Sequence, residues 1–169
     1  MKIKLSGISP QSLVNGEGLR KIFFSQGCSH RCDKCFNPET WPFDGGKVFD
    51  IDELVDDLKN QTYLDGVTFS GGDPMDQSNA FAELAYKIKT KLNMNIWCYT
   101  GYTWEELLIK SHKDISIKNL LKNIDVLIDG PFINKLKSAQ SKYRGSTNQR
   151  LIDVSQSLKL GRLILYVLK

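Results

Sequence analysis

The stretch Gln26-Gly27-Cys28-Ser29-His30-Arg31-Cys32-Asp33-Lys34-Cys35-Phe36-Asn37 carries three thiols, Cys28, Cys32 and Cys35, on one short segment. A structural zinc site closes its coordination with four protein ligands, and an electron-transfer iron–sulfur cluster likewise takes four thiolates. Three thiolates at C-x3-C-x2-C would hold three irons of a [4Fe–4S] cube and leave the fourth open. An open iron can bind a substrate, so the spacing points to chemistry at the cluster rather than electron storage alone. The competing readings are a zinc knuckle completed by His30, or simply buried thiols. His30 stands next to none of the cysteines yet only two residues from Cys28 and from Cys32, which is cramped for ligands that share one tetrahedral ion. Cys98 sits inside an apolar run and reads as a core thiol.

Those cysteines need a scaffold, and the chain alternates short apolar runs with helical periodicity. Leu19–Ser25 reads as a strand that feeds straight into the cysteine loop. Ile51, Leu54, Val55 and Leu58 recur at helical spacing behind a cap of Asp50 and Glu53. A strand at Val67–Ser70 is followed by a helix with the stripe Phe81, Leu84, Ala85, Ile88 and Leu92. Asn95–Tyr99 is the next strand, and Thr103 with Glu106 forms a capping box for the helix after it. Asp125–Asp129 and Arg162–Val167 complete the expected strands. Short, nearly all-apolar strands suit a parallel sheet covered by helices, so residues 1–169 read as a single α/β domain with a mainly parallel sheet.

In such folds ligands lie beyond the carboxyl ends of the strands. The cysteine loop follows the first of these strands. Ser70-Gly71-Gly72-Asp73-Pro74, Thr100-Gly101-Tyr102 and Asp129-Gly130-Pro131-Phe132 follow the next three. Four loops are therefore expected on one face. A complete eight-fold barrel needs about 250 residues; this chain, at 169, has room for an incomplete βα barrel whose open side can admit a loop of another protein.

Composition narrows the partners. The chain is 41% hydrophobic and 25% charged, with 23 Lys and Arg against 19 Asp and Glu. A net charge of +4 is too mild to argue for nucleic acid. Lys135, Lys137, Lys142, Arg144 and Arg150 gather in one polar segment that reads as a solvated loop. No apolar run approaches a membrane span and no signal-peptide pattern opens the chain. Three close cysteines then suit a reducing cytoplasm and a metal site better than disulfides.

The cysteine spacing resembles that of the radical S-adenosylmethionine (SAM) enzymes, in which SAM chelates the open iron through its amine and carboxylate. Under that resemblance Gly71 and Gly72 expose backbone to the methionyl amine, and Asp73 is a shorter variant of the Gly-Gly-Glu turn common there. Backbone around Lys34, Cys35 and Phe36 lies against the adenine. Lys34 occupies a position often held by an aromatic. Thr100 hydrogen-bonds the ribose or the carboxylate, or else is a turn residue, and Asp129 is either a site acid or the start of its turn.

The cysteine loop and the Ser-Gly-Gly-Asp-Pro turn recur in order with three further segments: Tyr99 to Leu107, Asp125 to Phe132, and Arg144-Gly145-Ser146-Thr147-Asn148-Gln149-Arg150. Together they resemble the activating proteins of anaerobic (class III) ribonucleoside-triphosphate reductases. The resemblance implies a single [4Fe–4S] cluster and SAM as cofactors, with no catalytic side chain beyond them. It implies that one electron from a donor such as flavodoxin cleaves SAM, and that the resulting 5′-deoxyadenosyl radical takes a hydrogen from a glycine of the large reductase subunit. A different small radical SAM enzyme, such as another glycyl-radical activase or a deazapurine synthase, and a non-catalytic zinc or iron–sulfur module are the alternatives.

Overall fold

Side-chain parity along the strands sorts the apolar residues onto two unlike faces. The computed structural model describes every residue from Met1 to Lys169. It contains strands β1 (Lys2–Ser12), β2 (Arg20–Ser25), β3 (Lys47–Asp50), β4 (Gly66–Gly71), β5 (Asn95–Tyr99), β6 (Val126–Asp129) and β7 (Arg150–Asp153). They form one sheet in the order β3-β1-β2-β4-β5-β6-β7. The four central strands β2, β4, β5 and β6 are parallel neighbours. β1 is antiparallel to both β2 and β3, and β7 is antiparallel to β6, so the sheet is mixed, with five of its seven strands running one way.

Five helices cover one face: α1 (Ile51–Lys59), α2 (Ser78–Leu92), α3 (Trp104–Ser111), α4 (Ile115–Asn123) and α5 (Val154–Leu160). Their starts follow from capping chemistry. The side chains of Asp50, Asp114 and Asp153 each accept a backbone N–H of the helix that follows, and Thr103 with Glu106 forms the reciprocal capping box. α2 stops where Asn93 turns into the left-handed region at φ 51°. The helices bury Leu54, Val55, Phe81, Leu84, Ile88 and Leu107 against Phe23, Val67, Phe69, Ile96, Cys98 and Leu127 of the strands.

The opposite face is held differently. Trp97, Val126, Ile128 and Leu151 form a small second cluster, backed by Tyr99, Tyr143, Tyr166 and Leu168. Arg20 is buried there. Its guanidinium donates to Thr68 Oγ1 at 2.8 Å and to the carbonyls of Glu17, Val67 and Asn95, and lies over the Trp97 ring. Burial without a carboxylate in contact pulls its pKa down to about 10. Arg20 and Trp97 thus plug this face at the amino ends of the parallel strands and leave the carboxyl ends open.

Two expectations change. Arg162–Val167 is no regular strand: a single bridge joins Leu165 to Ile152, with Asp153 N donating to Ile164 O and Tyr166 N to Leu151 O. The segment follows α5 by a short turn and borders β7 at the sheet edge, where it has pairing partners on one side only. The last strand of the sheet is instead β7, antiparallel rather than a fifth parallel unit. β1 and β3 lie outside the strands expected from the sequence. β1 carries Ser6, Gly7, Ser9 and Pro10, residues typical of turns, and accommodates them through register shifts between Leu5 and Gly7 and between Ser9 and Ser12.

Candidate iron–sulfur and ligand site

The four loops after β2, β4, β5 and β6 meet round one cavity of about 630 Å³. Its lining includes Cys28, Cys32, Cys35, Phe36, Gly71, Gly72, Asp73 and Thr100. Of the residues that the resemblance places at the cluster and the cofactor, only Lys34 is absent from the lining; Asp129, expected either as a site acid or as the start of its turn, is absent too. Lys34 is exposed, with its backbone at φ 54°, and contributes a left-handed bend to the cysteine loop.

β2 delivers that loop through Gly27, whose φ is +98° and whose missing side chain leaves room for the Phe43 ring, 2.4 Å from where a Cβ would lie. Gly27 N donates to Thr40 O and Cys28 N to Trp41 O. All four cysteines are free thiols. Asn37 N donates to the Cys35 sulfur at 3.4 Å, and the neighbouring backbone amides of His30 and Arg31 favour the thiolate of Cys28, as that of Phe132 does for Cys32. Amides aimed at sulfur favour thiolate and are the means by which a protein holds a metal cluster. Burial works against them and pushes the Cys28 thiol up to about 11, so the amides alone do not ionise it. A bound iron would.

No three His, Cys, Asp or Glu side chains converge as the ligands of a single ion. Three thiols border the cavity, and thiolates are the donors that an iron–sulfur cluster takes. His30 turns from the sulfurs to Asp73, with Nε2 lying 2.9 Å from Asp73 Oδ2 but without the alignment of a full hydrogen bond. That carboxylate raises the imidazole pKa against the opposing effect of burial.

Asp73 is a joint between loops. It is 1% exposed. Oδ1 accepts Met75 N, capping a short helical turn that begins at Pro74. Oδ2 accepts both Thr100 Oγ1 and Gly101 N at 2.9 Å. The double glycine is packed as tightly. Gly72 N donates to Ser25 O, and Asp73 N to Gly27 O. A Cβ on Gly72 would lie 2.2 Å from Gly27 O, and one on Gly71 would lie 2.7 Å from the Phe24 backbone. Glycine here lets the β4 turn close against the cysteine loop, in addition to baring backbone to the cavity. Asp76 extends the same joint: its Oδ2 accepts Ser29 N and its Oδ1 accepts Tyr102 OH, both at 2.8 Å.

Asp129 lies outside the cavity lining and is buried. It pairs with Arg150, which also reaches Glu105, and accepts Trp104 N at 2.7 Å. Its place is structural, tying β6 to β7 and to the start of α3. The polar segment expected to be a solvated loop is in part a cavity wall: Lys137, Tyr143, Arg144, Gly145 and Gln149 all line it. Gln149 holds this wall by accepting Gly145 N and Ser146 N and by donating to Gly130 O. The density of backbone-bonding side chains in Gly145-Ser146-Thr147-Asn148-Gln149 is the sequence signal for such an ordered loop. Trp41, also in the lining, has no comparable local signal.

A cysteine loop shaped for a cluster, at the carboxyl ends of a parallel sheet centre, defines an iron–sulfur domain. Residues 14–152 match the family described as a 4Fe–4S single cluster domain. Three relatives are named anaerobic ribonucleoside-triphosphate reductase-activating protein. The one from Vibrio cholerae is 39% identical over 83% of this chain and 91% of its own. That from Haemophilus influenzae is 37% identical over the same shares, and that of Enterobacteria phage T4 is 36% identical over 85% and 90%. The chain belongs to this family of reductase-activating proteins. No helix is long and apolar enough to cross a membrane.

Proposed function

We propose that this protein activates an anaerobic ribonucleoside-triphosphate reductase by reductively cleaving SAM and leaving a glycyl radical on the large reductase subunit. When bound, a [4Fe–4S] cluster supplies the electron and SAM the hydrogen-abstracting fragment. Cys28, Cys32 and Cys35 hold the cluster, and the backbone N–H groups at their sulfurs stabilise the thiolates. The Gly71–Gly72 turn and Thr100 border the space for SAM, and Phe36 with Phe132, ring centroids 4.9 Å apart, gives that space an apolar wall suited to a base. Asp73 keeps the three loops in register and spends its oxygens doing so. We read the open sheet, with helices on one face and the cavity on the other, as an incomplete βα barrel through which the glycine loop of the partner enters. The electron donor would be a low-potential protein such as flavodoxin, in the cytoplasm.

The observation that carries this reading is that three free thiols and the double-glycine turn border one cavity. The test is electron paramagnetic resonance of the anaerobically reconstituted protein with SAM, a reductant and the reductase. A glycyl-radical doublet is expected only when all four are present. The same signal from a reductase whose radical glycine is alanine, or SAM cleavage with no radical on the reductase, would sink the proposal.

A further inference from the structure

The backbone amide that follows the first cysteine is taken by an acid. Ser29, bonded directly to Cys28, donates its N–H to Asp76 Oδ2 at 2.8 Å, and Asp76 Oδ1 accepts Tyr102 OH at the same distance. Asp76 stands on the short helical turn Pro74–Gln77, and that turn is fixed. Gln77, the next residue, is hydrogen-bonded to Lys4 of β1, to Ser25 of β2 and to Gln26 just beyond it. Tyr102 is held as well, edge-on to the His30 ring with centroids 4.3 Å apart. Burial pushes the pKa of its hydroxyl up to about 12, so it is a neutral donor. The cations nearby are engaged elsewhere. His30 lies against Asp73, and Lys110 Nζ lies over the Tyr102 ring, 4.7 Å from its centroid. Asp76 is left with no ion-pair partner. It accepts two hydrogen bonds and donates none, the pattern of a carboxylate. Its charge is felt at the Cys28 sulfur: burial first, then Asp73 and Asp76, push that thiol up against the amides of His30 and Arg31. An anion fixed beside a sulfur opposes further negative charge there, including that of an added electron.

We infer that Asp76 is a positioning residue of the cysteine loop whose fixed negative charge lowers the reduction potential of the cluster. The inference rests on the proposed ligand set of Cys28, Cys32 and Cys35. Reduction adds one electron to the cluster and breaks no bond, so an unpaired anion nearby disfavours the reduced form and makes it the stronger reductant. Asp76 acts in the same direction by occupying the Ser29 N–H, because a donor given to a cluster sulfur raises the potential.

The experiment is an equilibrium redox titration of the reconstituted full chain, without SAM, at one pH under anaerobic conditions. Titanium(III) citrate is the reductant, and the reduced cluster is read by electron paramagnetic resonance. Asp76→Asn removes the charge and keeps the joint. Its amide oxygen accepts Ser29 N–H and its amino group donates to Tyr102 OH, whose proton turns to Ser29 Oγ, 3.1 Å away. At a given potential the ratio of reduced to oxidised cluster should rise about tenfold in this variant, or 59 mV for one electron, at unchanged iron content. Tyr102→Phe removes one bond of the joint and keeps the charge, so its ratio should stay within about twofold of wild type. A wild-type potential in Asp76→Asn overturns the inference and leaves the activating function standing. So does an equal shift in Tyr102→Phe, which would trace the effect to the joint rather than to the charge. Asp76→Ser, uncharged but still an acceptor, should shift as Asp76→Asn does. Loss of the cluster from both would make Asp76 a structural residue only and overturn the inference. A wild-type chain that takes up no cluster reducible by one electron overturns the proposed function, and this inference with it.

Discussion

The two faces of the sheet are built on opposite principles. Beneath the helices, 27 buried residues interlock into one apolar core. On the other face only Trp97, Val126, Ile128 and Leu151 form a buried apolar cluster, and much of the remaining contact is polar: the Arg20 plug, the Asp73 joint and the Gln149-braced wall. Apolar packing is non-directional and tolerates rearrangement, whereas hydrogen-bonded joints fix positions at the cost of satisfying every member. Stability is thus concentrated on one side and positional definition on the other. Substitutions should separate accordingly, those on the helix face changing unfolding and those on the open face changing what the protein holds.

The largest separation is expected at the cysteine loop. Cys28→Ser, Cys32→Ser and Cys35→Ser should each abolish the reconstituted cluster, read as iron content and visible absorbance. The cluster-free proteins should unfold within about 1 kcal/mol of cluster-free wild type, since none of the three thiols belongs to the main core. A serine variant that keeps a full cluster would remove that cysteine from the ligand set.

On the helix face the pattern should reverse. Phe81 is fully buried, its ring 5.0 Å from that of Phe69. Phe81→Ala should cost about 3–5 kcal/mol, lowering the melting temperature by about 10 °C, yet the folded fraction should load as much iron per chain as wild type. If cluster content per folded chain falls in step with stability, the two faces are coupled and the division drawn here fails.

What the sequence made legible divides along the same line. The helix face was readable because its signal is periodic: the stripes of α1 and α2 and the capping box at Thr103 appear where spacing put them. The central strands and the four converging loops followed from short apolar runs ending in glycine and polar residues. The open face was less readable, because its contacts join residues far apart in sequence. Nothing local in Arg20 distinguishes a buried plug from a solvated strand residue until Thr68, Val67 and Asn95 are brought beside it. The same holds for Asp73, whose role is set by His30 and Thr100. β7 was missed because its four residues follow a loop rich in polar side chains, and an antiparallel edge needs no long apolar run.

Gly72 sits where the joint and the cavity meet, so a single methyl group sharpens the comparison. The close approach of Gly27 O means that Gly72→Ala must push the β4 turn and the cysteine loop apart. Cluster loading is expected to drop several-fold, with SAM binding by the loaded fraction weakened as well. Full loading with SAM binding alone impaired would show instead that this glycine serves the ligand and not the loop.

The smallest effect is expected at the fourth cysteine, and strand parity is the reason. Cys98 alternates with Trp97 and Tyr99 along β5, so it faces the helices and belongs to the main core, at 0% exposure. The Cys35 sulfur accepts the backbone N–H of Asn37; the Cys98 thiol donates toward Tyr99 O at 3.6 Å, as a neutral S–H would. Burial pushes its pKa well up, which keeps it protonated and a poor metal ligand. Cys98→Ala removes one buried atom from a packed core and should cost about 1 kcal/mol, measured by denaturant unfolding of the cluster-free chain. Iron content and the visible spectrum after reconstitution should match wild type. Because a fourth thiolate would close the cluster and leave no iron for SAM, a Cys98→Ala protein that loses its cluster would undo the open-iron reading and the separation of the two faces together.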